Sequence, residues 1–275
     1  IPTRAGRATR RLNPAIHLVD SAPRVPDNWP LRAGSGQTPA MEPSEYLSAI
    51  RDQGRALLAA VGTTPDARIE HCPDWDGNDL ADHMGNVWGF MAAQVSAAST
   101  ERPARPDPDD TSTPDQILDS LLEILTGTDP TAPAWNWCPE EGRTVAWIQR
   151  RMAHETAVHR WDAQNATGDA EPLDADLAVD GIAEALEVAW GSRLRGPVPD
   201  YPEGSLHLHR TDGDGEWMVR TVDGVLQVTR EHGKGDVAVR GTASDLNLFM
   251  WNRLRPGLEY FGDTAVVEAW AAIAP

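Results

Sequence analysis

One helical stripe constrains this chain more than any other feature of its sequence. Between Arg143 and Gly168, residues at steps of three and four share one helix face: Ile148, Met152, Glu155, His159, Asp162 and Ala166. The first half of the stripe is apolar, as on the buried side of an amphipathic helix. The second half places two carboxylates and an imidazole where a core normally has Leu or Val. Because a buried charge is costly unless it is paired or bound to a metal, we expect a compensating group, and a metal ion is the first candidate.

The composition restricts the class of protein. With 275 residues and 40% hydrophobic side chains, the chain can form one large domain or two modest ones. It has no apolar run that could span a membrane and no signal-peptide core, so we expect a soluble, cytoplasmic protein. The net charge of −18 argues against nucleic acid or an anionic membrane as a partner. We expect a monomer or a weak dimer.

Two residue types are scarce. Lys occurs once, at Lys234, while Arg, Ala, Asp and Pro are abundant, which indicates a GC-rich genome such as those of actinobacteria. The two cysteines, Cys72 and Cys138, make neither a disulfide framework nor a CxxC motif. We interpret both as packed residues without a catalytic role.

The chain divides into three regions. Residues 1–40 are basic, rich in Pro and Gly and without periodicity, which is typical of a flexible or non-native extension. Residues 41–195 contain five helical patterns, at 42–62, 76–99, 114–127, 143–168 and 174–194. Residues 201–275 contain strand patterns at 205–211, 216–222, 224–231, 236–241 and 257–262, and helical patterns at 244–254 and 264–273. The predicted fold is a helical bundle with an extra helix, followed by a small α+β domain.

The polar half of the stripe supplies two candidate metal ligands. Glu155 and His159 are four residues apart, so their side chains share one helix face. His154 and His159 are five apart, which turns them about 140° from each other and prevents them from sharing one ion on a regular helix. We therefore interpret His154 as a packing residue. Asp162 either accepts the second ring proton of His159 or pairs with a nearby Arg, and both interpretations stay open.

The second helical pattern supplies a third ligand. His83 lies on the apolar side of that helix, with Leu80, Val87, Trp88 and Met91. Together with Glu155 and His159 it makes a set of two histidines and one carboxylate, which leaves positions open for water or substrate. The same set is found in non-haem iron oxygenases, so the ligands alone do not identify the metal. Ferritin-like di-iron chemistry would need several more inward Glu residues.

Two segments resemble a known family. CPDWDGNDLADHMGNV and RRMAHETAVHRWDAQNATG are similar to the signature regions of the DinB-like, mycothiol-dependent maleylpyruvate isomerase family, and the similarity extends from about Met41 to the end. DVAVRGTASDLNLFMWNRL and YFGD resemble its C-terminal, sterol-carrier-like domain. The resemblance implies an up-down four-helix bundle with a divalent metal, usually zinc, on the positions that match His83, Glu155 and His159. One departure is that the usual Pro-Gly-Trp-Thr is here Pro73-Asp74-Trp75-Asp76.

The resemblance also implies a chemistry. A metal-bound thiol, mycothiol or a similar low-molecular-weight thiol, would add to a small electrophile, leading to isomerisation or S-transfer. Arg253 resembles an Arg of the C-terminal domain and is expected to face the cleft, with Asp162 as its catalytic companion. Trp88 and Arg151 are expected to contact the thiol cofactor. Arg150 and Arg151 are further candidates for binding an anionic substrate, and Trp135, Trp137 and Trp147 are further candidates for the wall of the pocket. Two alternatives stay open: a hydrolase that uses metal-bound water, and a metal-stabilised protein that binds a small molecule.

Overall fold

The computed structural model describes residues 41–101, 104, 106–107, 110–138, 140–190, 200–253 and 257–274. The prediction of a flexible extension over 1–40 lies outside these residues. Within them, no helix combines the length and the hydropathy needed to cross a membrane.

Five helices form the first part of the chain: α1 (Pro43–Thr63), α2 (Gly77–Ala97), α3 (Pro114–Gly127), α4 (Val145–Asn165) and α5 (Ala175–Glu184). The starts of α2, α3, α4 and α5 are fixed by side chains that accept hydrogen bonds from the first-turn amides. Asp76 accepts from the amide of Asp79 at the start of α2. Thr113 and Thr144 do the same for α3 and α4. These caps set where each helix begins and hence which residues face inward.

The fifth helix differs from its prediction. The sequence pattern predicts one helix over 174–194, whereas α5 ends at Glu184 and continues as a π-helical turn over Ala185–Trp190. Trp190 at the end of this turn donates its indole N–H to the carbonyl of Met250 at 3.0 Å and stacks on Trp270. The π-helical turn therefore contacts the second half of the chain through Trp190.

The second half contains a five-stranded sheet with two helices. Its strands are β1 (Leu206–Arg210), β2 (Glu216–Val222), β3 (Val225–Thr229), β4 (Val237–Gly241) and β5 (Glu259–Gly262), in the order β3-β2-β1-β4-β5. Only the β1–β4 pair among these strands is parallel. Asp223 and Gly224 between β2 and β3 both have positive φ, as a type I′ hairpin requires. Helices α6 (Ala243–Met250) and α7 (Thr264–Ala271) pack against β1 and β4, and the predicted α plus α+β fold class is confirmed.

Helix α5 lies between the two halves. At Gly181 a Cβ would come within 2.3 Å of Asn247 on α6 and 3.1 Å of His154 on α4, so only glycine permits this approach. Before α5, the amide of Leu173 donates to the hydroxyl of Ser244 at 2.9 Å. The boundary between the predicted domains, 41–195 and 201–275, stays a prediction.

One buried carboxylate connects three helices of the bundle. Oδ2 of Asp180 on α5 accepts a hydrogen bond from the Tyr46 hydroxyl of α1 at 2.8 Å and from Nε of Arg150 at 2.9 Å. Nε2 of His154, also on α4, lies 2.8 Å from the same oxygen. Burial acts to raise the pKa of Asp180, but His154 and Arg150 more than offset it and hold that pKa far below its usual range. The carboxylate is therefore ionised and paired at neutral pH.

We expect the substitution Asp180→Asn to lower the free energy of unfolding by about 3 kcal/mol, because it removes the buried charge that pairs with Arg150 and leaves that guanidinium with Glu187 as its ion-pair partner. Tyr46→Phe removes one hydrogen bond from the same oxygen and should cost only about 1.5 kcal/mol. Urea denaturation at pH 7 measures both changes in the free energy of unfolding. Since the pKa of Asp180 is lowered by folding, its stabilisation is present above the unfolded pKa of about 4 and is lost at lower pH. A difference between wild type and Asp180→Asn that does not shrink below pH 4 would contradict this role.

Candidate metal centre

Helices α2 and α4 bring the three predicted ligands together. Oε1 of Glu155 lies 3.5 Å from Nε2 of His83 and 3.5 Å from Nε2 of His159. One ligand atom from each of the three side chains lies within 4.8 Å of the others. Both imidazoles are buried, while the Glu155 side chain keeps 18% of its surface exposed, so solvent reaches the cluster from the side of Glu155.

The separations suit a shared ion better than direct hydrogen bonds. Hydrogen bonds from nitrogen to oxygen cluster at about 2.9 to 3.0 Å, so 3.5 Å is long for such a contact. Bonds of about 2.0 to 2.1 Å to a tetrahedral zinc place neighbouring ligand atoms about 3.3 Å apart. Two imidazoles and a carboxylate are also a donor set that divalent transition metals accept. The residues present therefore fit a divalent ion.

A second layer of side chains orients His159. Oδ2 of Asp162 lies 3.0 Å from Nδ1 of His159, and the Arg253 guanidinium donates to the same oxygen at 3.2 Å. Both interpretations of Asp162 from the sequence thus hold at once. Burial acts to raise the pKa of Asp162, but Arg253 and His159 lower it on balance. An ionised Asp162 accepts a hydrogen bond from Nδ1–H of His159, and Nε2 of the same ring faces Glu155. In the neutral tautomer with the proton on Nδ1, this Nε2 carries the lone pair that a metal would use.

Arg253 connects this layer to the second half of the chain. It follows α6, and its side chain is only 8% exposed. Besides Asp162, it donates to the carbonyl of Trp251 at 2.6 Å. Asp162 lies between the Arg253 guanidinium and His159, and the expectation that Arg253 faces a substrate cleft stays a prediction.

The Arg151 guanidinium contacts Glu155, one of the three predicted metal ligands. Its guanidinium donates to both carboxylate oxygens of Glu184 at 2.8 Å, pairs with Glu155 and lies 4.9 Å from the ring centre of Trp251. Burial acts to raise the pKa of Glu155, but Arg151 and the two imidazoles hold it well below its usual range. The Arg151 side chain is only 5% exposed, and its expected contact with the thiol stays a prediction. Arg150 is likewise engaged, with Asp180 and Glu187.

The tryptophan at the cluster is not the one that the sequence indicates. Trp88 is fully buried, and its indole N–H donates to the hydroxyl of Thr156 at 3.1 Å, so it is a core residue without a face for a cofactor. Trp75 instead covers the ligands, with its ring 4.7 Å from that of His83 and 6.3 Å from that of His159. The remaining candidates, Trp135, Trp137 and Trp147, pack edge to face in a row.

Two other residues of this region carry a signal that the sequence reasoning did not use. Trp75 belongs to the segment that precedes the His83 helix, and Glu184 lies one turn after Asp180 on a helix that is otherwise apolar on its buried side. His154 takes no part in the cluster, in agreement with the spacing argument, because its ring nitrogen contacts Asp180. Cys138 is buried, and burial, with Glu184 and Glu187 nearby, raises the pKa of its thiol to about 12. Such a thiol is not a nucleophile at neutral pH.

Comparison with known families places the chain. The model of the mycothiol maleylpyruvate isomerase N-terminal domain matches residues 47–164, and that of the C-terminal domain of the same family matches residues 176–269. The chain belongs to the mycothiol maleylpyruvate isomerase family. This is an enzyme family, and the two matches together span the ligand helices and Arg253.

Individual relatives add the fold but no further detail of activity. A crystal structure of a histidine-to-alanine mutant of a mycothiol-dependent maleylpyruvate isomerase is similar with a TM-score of 0.52 and 14% identity, covering 80% of this chain and 93% of that one. Two uncharacterised proteins of Mycobacterium tuberculosis, from strains CDC 1551 and H37Rv, are each 29% identical over 160 residues. That match covers 57% of this chain and 84% of each relative. The structural likeness shows that this member of the maleylpyruvate isomerase family shares the fold of that enzyme.

Proposed function

We propose that this chain is a metal-dependent thiol transferase or isomerase that uses mycothiol, or a similar low-molecular-weight thiol, on a small electrophile. The proposed metal ligands are His83, Glu155 and His159, with zinc as the expected ion. The observation that carries the proposal is the convergence of these three side chains at separations of 3.5 Å. Membership of the maleylpyruvate isomerase family supports the thiol.

The bound ion would lower the pKa of a coordinated thiol, so that the thiolate is present at neutral pH. Three protein ligands leave a coordination position open for that sulfur. The chain itself offers no comparable nucleophile in Cys138, whose thiol is buried with a raised pKa. This argues against Cys138 as the source of the reacting sulfur and leaves that role to the thiol co-substrate that the family implies.

The neighbouring charges keep the Glu155 carboxylate in the state that a metal needs. Burial acts to lower the pKa of His159, but Asp162 and Glu155 raise it on balance, so a bound metal would have to displace a proton from that imidazole. A ligating carboxylate has to be ionised and a ligating imidazole has to be neutral at the coordinating nitrogen. Arg151 holds Glu155 ionised through one guanidinium nitrogen, while another guanidinium nitrogen pairs with Glu184. Asp162 fixes the tautomer of His159 through Nδ1, a contact that in metal sites also orients the ring. Trp75 covers both imidazoles and limits the access of water from that side.

Arg253 is the proposed contact for an anionic group of the electrophile. Its guanidinium is held by Asp162 on one side, which places a positive charge next to His159 without placing it on the ligand itself. A guanidinium has five N–H donors in a planar fork and binds carboxylates in bidentate fashion. Asp162 therefore has two proposed roles: it orients His159, and it positions Arg253.

We expect Glu155→Gln and His159→Ala each to remove one equivalent of divalent metal per chain, because each deletes one of three protein ligands. The measurement is elemental analysis after dialysis, on protein purified without a chelating tag. Glu187→Gln is the matched control, since it removes a partly exposed carboxylate from the adjoining π-helical turn and should leave the metal content unchanged. Retention of the full metal content by both ligand variants would refute this site.

The thiol is tested by turnover of an unsaturated electrophile with and without mycothiol. We expect turnover only with the thiol, and a loss of at least 100-fold on His159→Ala, which amounts to about 2.7 kcal/mol of transition-state stabilisation. Thiol-independent turnover that requires the metal would instead identify a hydrolase. Stoichiometric metal without turnover of any electrophile in a panel would favour a protein that only binds a small molecule.

A further inference from the structure

A second group of metal-ligating side chains lies on the sheet, apart from the site on α2 and α4. It consists of His207 and His209 on β1, Glu216 on β2 and His232 in the segment between β3 and β4. The alternation of β1 marks these histidines only as polar strand positions. Their meeting depends on strand register and on the course of the segment after β3, neither of which the local pattern reveals.

The fold places the four side chains on one face of the sheet. His207 and His209 are two residues apart on a strand and therefore point to the same side of the sheet. Leu206 and Leu208 occupy the alternate positions and are buried on the other side. His209 stands directly opposite Glu216 in the antiparallel β1–β2 pair. This register brings one carboxylate within reach of both histidines of β1.

The geometry converges on that carboxylate. Nε2 of His207 lies 3.1 Å from Oε2 of Glu216, and Nδ1 of His209 lies 3.0 Å from Oε1. Nδ1 of His232 lies 3.0 Å from Oε1 and 2.8 Å from Oε2. One ligand atom of each of the four residues lies within 4.8 Å of every other. At these distances each imidazole makes a direct hydrogen bond to Glu216, and an ion bound here would replace these hydrogen bonds by coordination. Three imidazoles on two separate segments thus point a ring nitrogen at one small volume.

We propose that His207, His209, Glu216 and His232 form a second divalent metal site, with zinc as the ion that fits the donor set. Imidazole nitrogens and a carboxylate oxygen are ligands that zinc accepts in tetrahedral geometry. Four protein ligands fill that geometry and leave no position for substrate. The site is therefore structural, and it does not depend on the function proposed for the first site.

The structural role follows from where the fourth ligand lies. The His232 side chain is 82% exposed, in a segment that joins the antiparallel edge of the sheet to β4. Coordination by His232 ties this segment to the β1–β2 hairpin. The three histidines line a cavity of about 640 Å³, and the segment after β3 contributes Gly233, Lys234 and Gly235 to its wall. The ion thus holds one wall of that cavity in place.

The test uses the full chain, freed of any tag, with Zn²⁺ as the probe in equilibrium dialysis. We expect two zinc ions per chain in the wild type, one in His232→Ala and one in His159→Ala. In the His159→Ala background, adding His232→Ala should weaken the remaining zinc affinity at least tenfold. Because His232 is exposed, its loss should leave the fold intact, and circular dichroism checks this. Glu231→Gln is the matched control, since it removes an exposed carboxylate from the same segment.

Thermal melting gives an independent readout. Zinc should raise the Tm of His159→Ala, and the same zinc concentration should raise the Tm of the His159→Ala/His232→Ala double variant by less, because an ion stabilises the folded state in proportion to the logarithm of its affinity. The proposal is overturned if His232→Ala binds as much zinc as the wild type with the same affinity. It is equally overturned if Glu231→Gln loses the second ion while His232→Ala keeps it, which would indicate adventitious binding to surface carboxylates. If the first site alone does not bind zinc, the ion that depends on His159 is missing from the wild type, while the ion that depends on His232 is still bound.

Discussion

The structure depends on how helix α4 compensates the charges that it buries. Glu155, His159 and Asp162 occupy the half of its stripe that faces the protein interior. None of them is left alone: Glu155 meets Arg151, and Asp162 meets both His159 and Arg253. Desolvation of each charge is thereby offset by a partner at hydrogen-bond distance, which is the condition under which buried ions persist. Within this network, ligand atoms of Glu155 and His159 and of His83 on α2 converge, and these three side chains are the proposed metal ligands.

The compensation extends beyond α4 and connects the two halves of the chain. Arg151 reaches Glu184 at the end of α5, and Asp162 reaches Arg253, which follows α6. A site that belonged to the bundle alone would lack this cation. The network also explains why α5 lies between the halves, because its Asp180 and Glu184 neutralise the two arginines of α4. The packing of the second half against the bundle therefore affects the electrostatics of the first site, because Arg253 pairs with Asp162.

Local patterns in the sequence suffice for a large part of the fold and for the first ligand set. Helical spacing separates His159 from His154, and the strand patterns locate all five strands to within two residues at each end. Proximity of α2 and α4 is not a local property, so His83 required the added evidence of a polar residue on an apolar face. The assignment of Trp88 and Arg151 to cofactor contacts depended on the orientation of side chains within the packed bundle, which spacing alone does not give. The actual cover, Trp75, precedes its helix and has no periodicity to reveal it.

The second histidine cluster shows the same limit. His207 and His209 are visible as an alternating pair, but Glu216 joins them through strand register and His232 through the segment that follows β3. Sequence patterns of period two or 3.6 report which face a residue occupies and not which distant residue it meets. Both clusters therefore become apparent only when the tertiary structure brings separate segments together.

The central claim is that the polar half of the α4 stripe holds a divalent ion, and anomalous diffraction tests it most directly. Crystals of tag-free protein, grown without chelator, would be measured on both sides of the zinc absorption edge. We expect an anomalous peak about 2 Å from Nε2 of His83, Nε2 of His159 and a carboxylate oxygen of Glu155. An ordered, well-defined site with no anomalous peak among these three side chains at any transition-metal edge would contradict the claim.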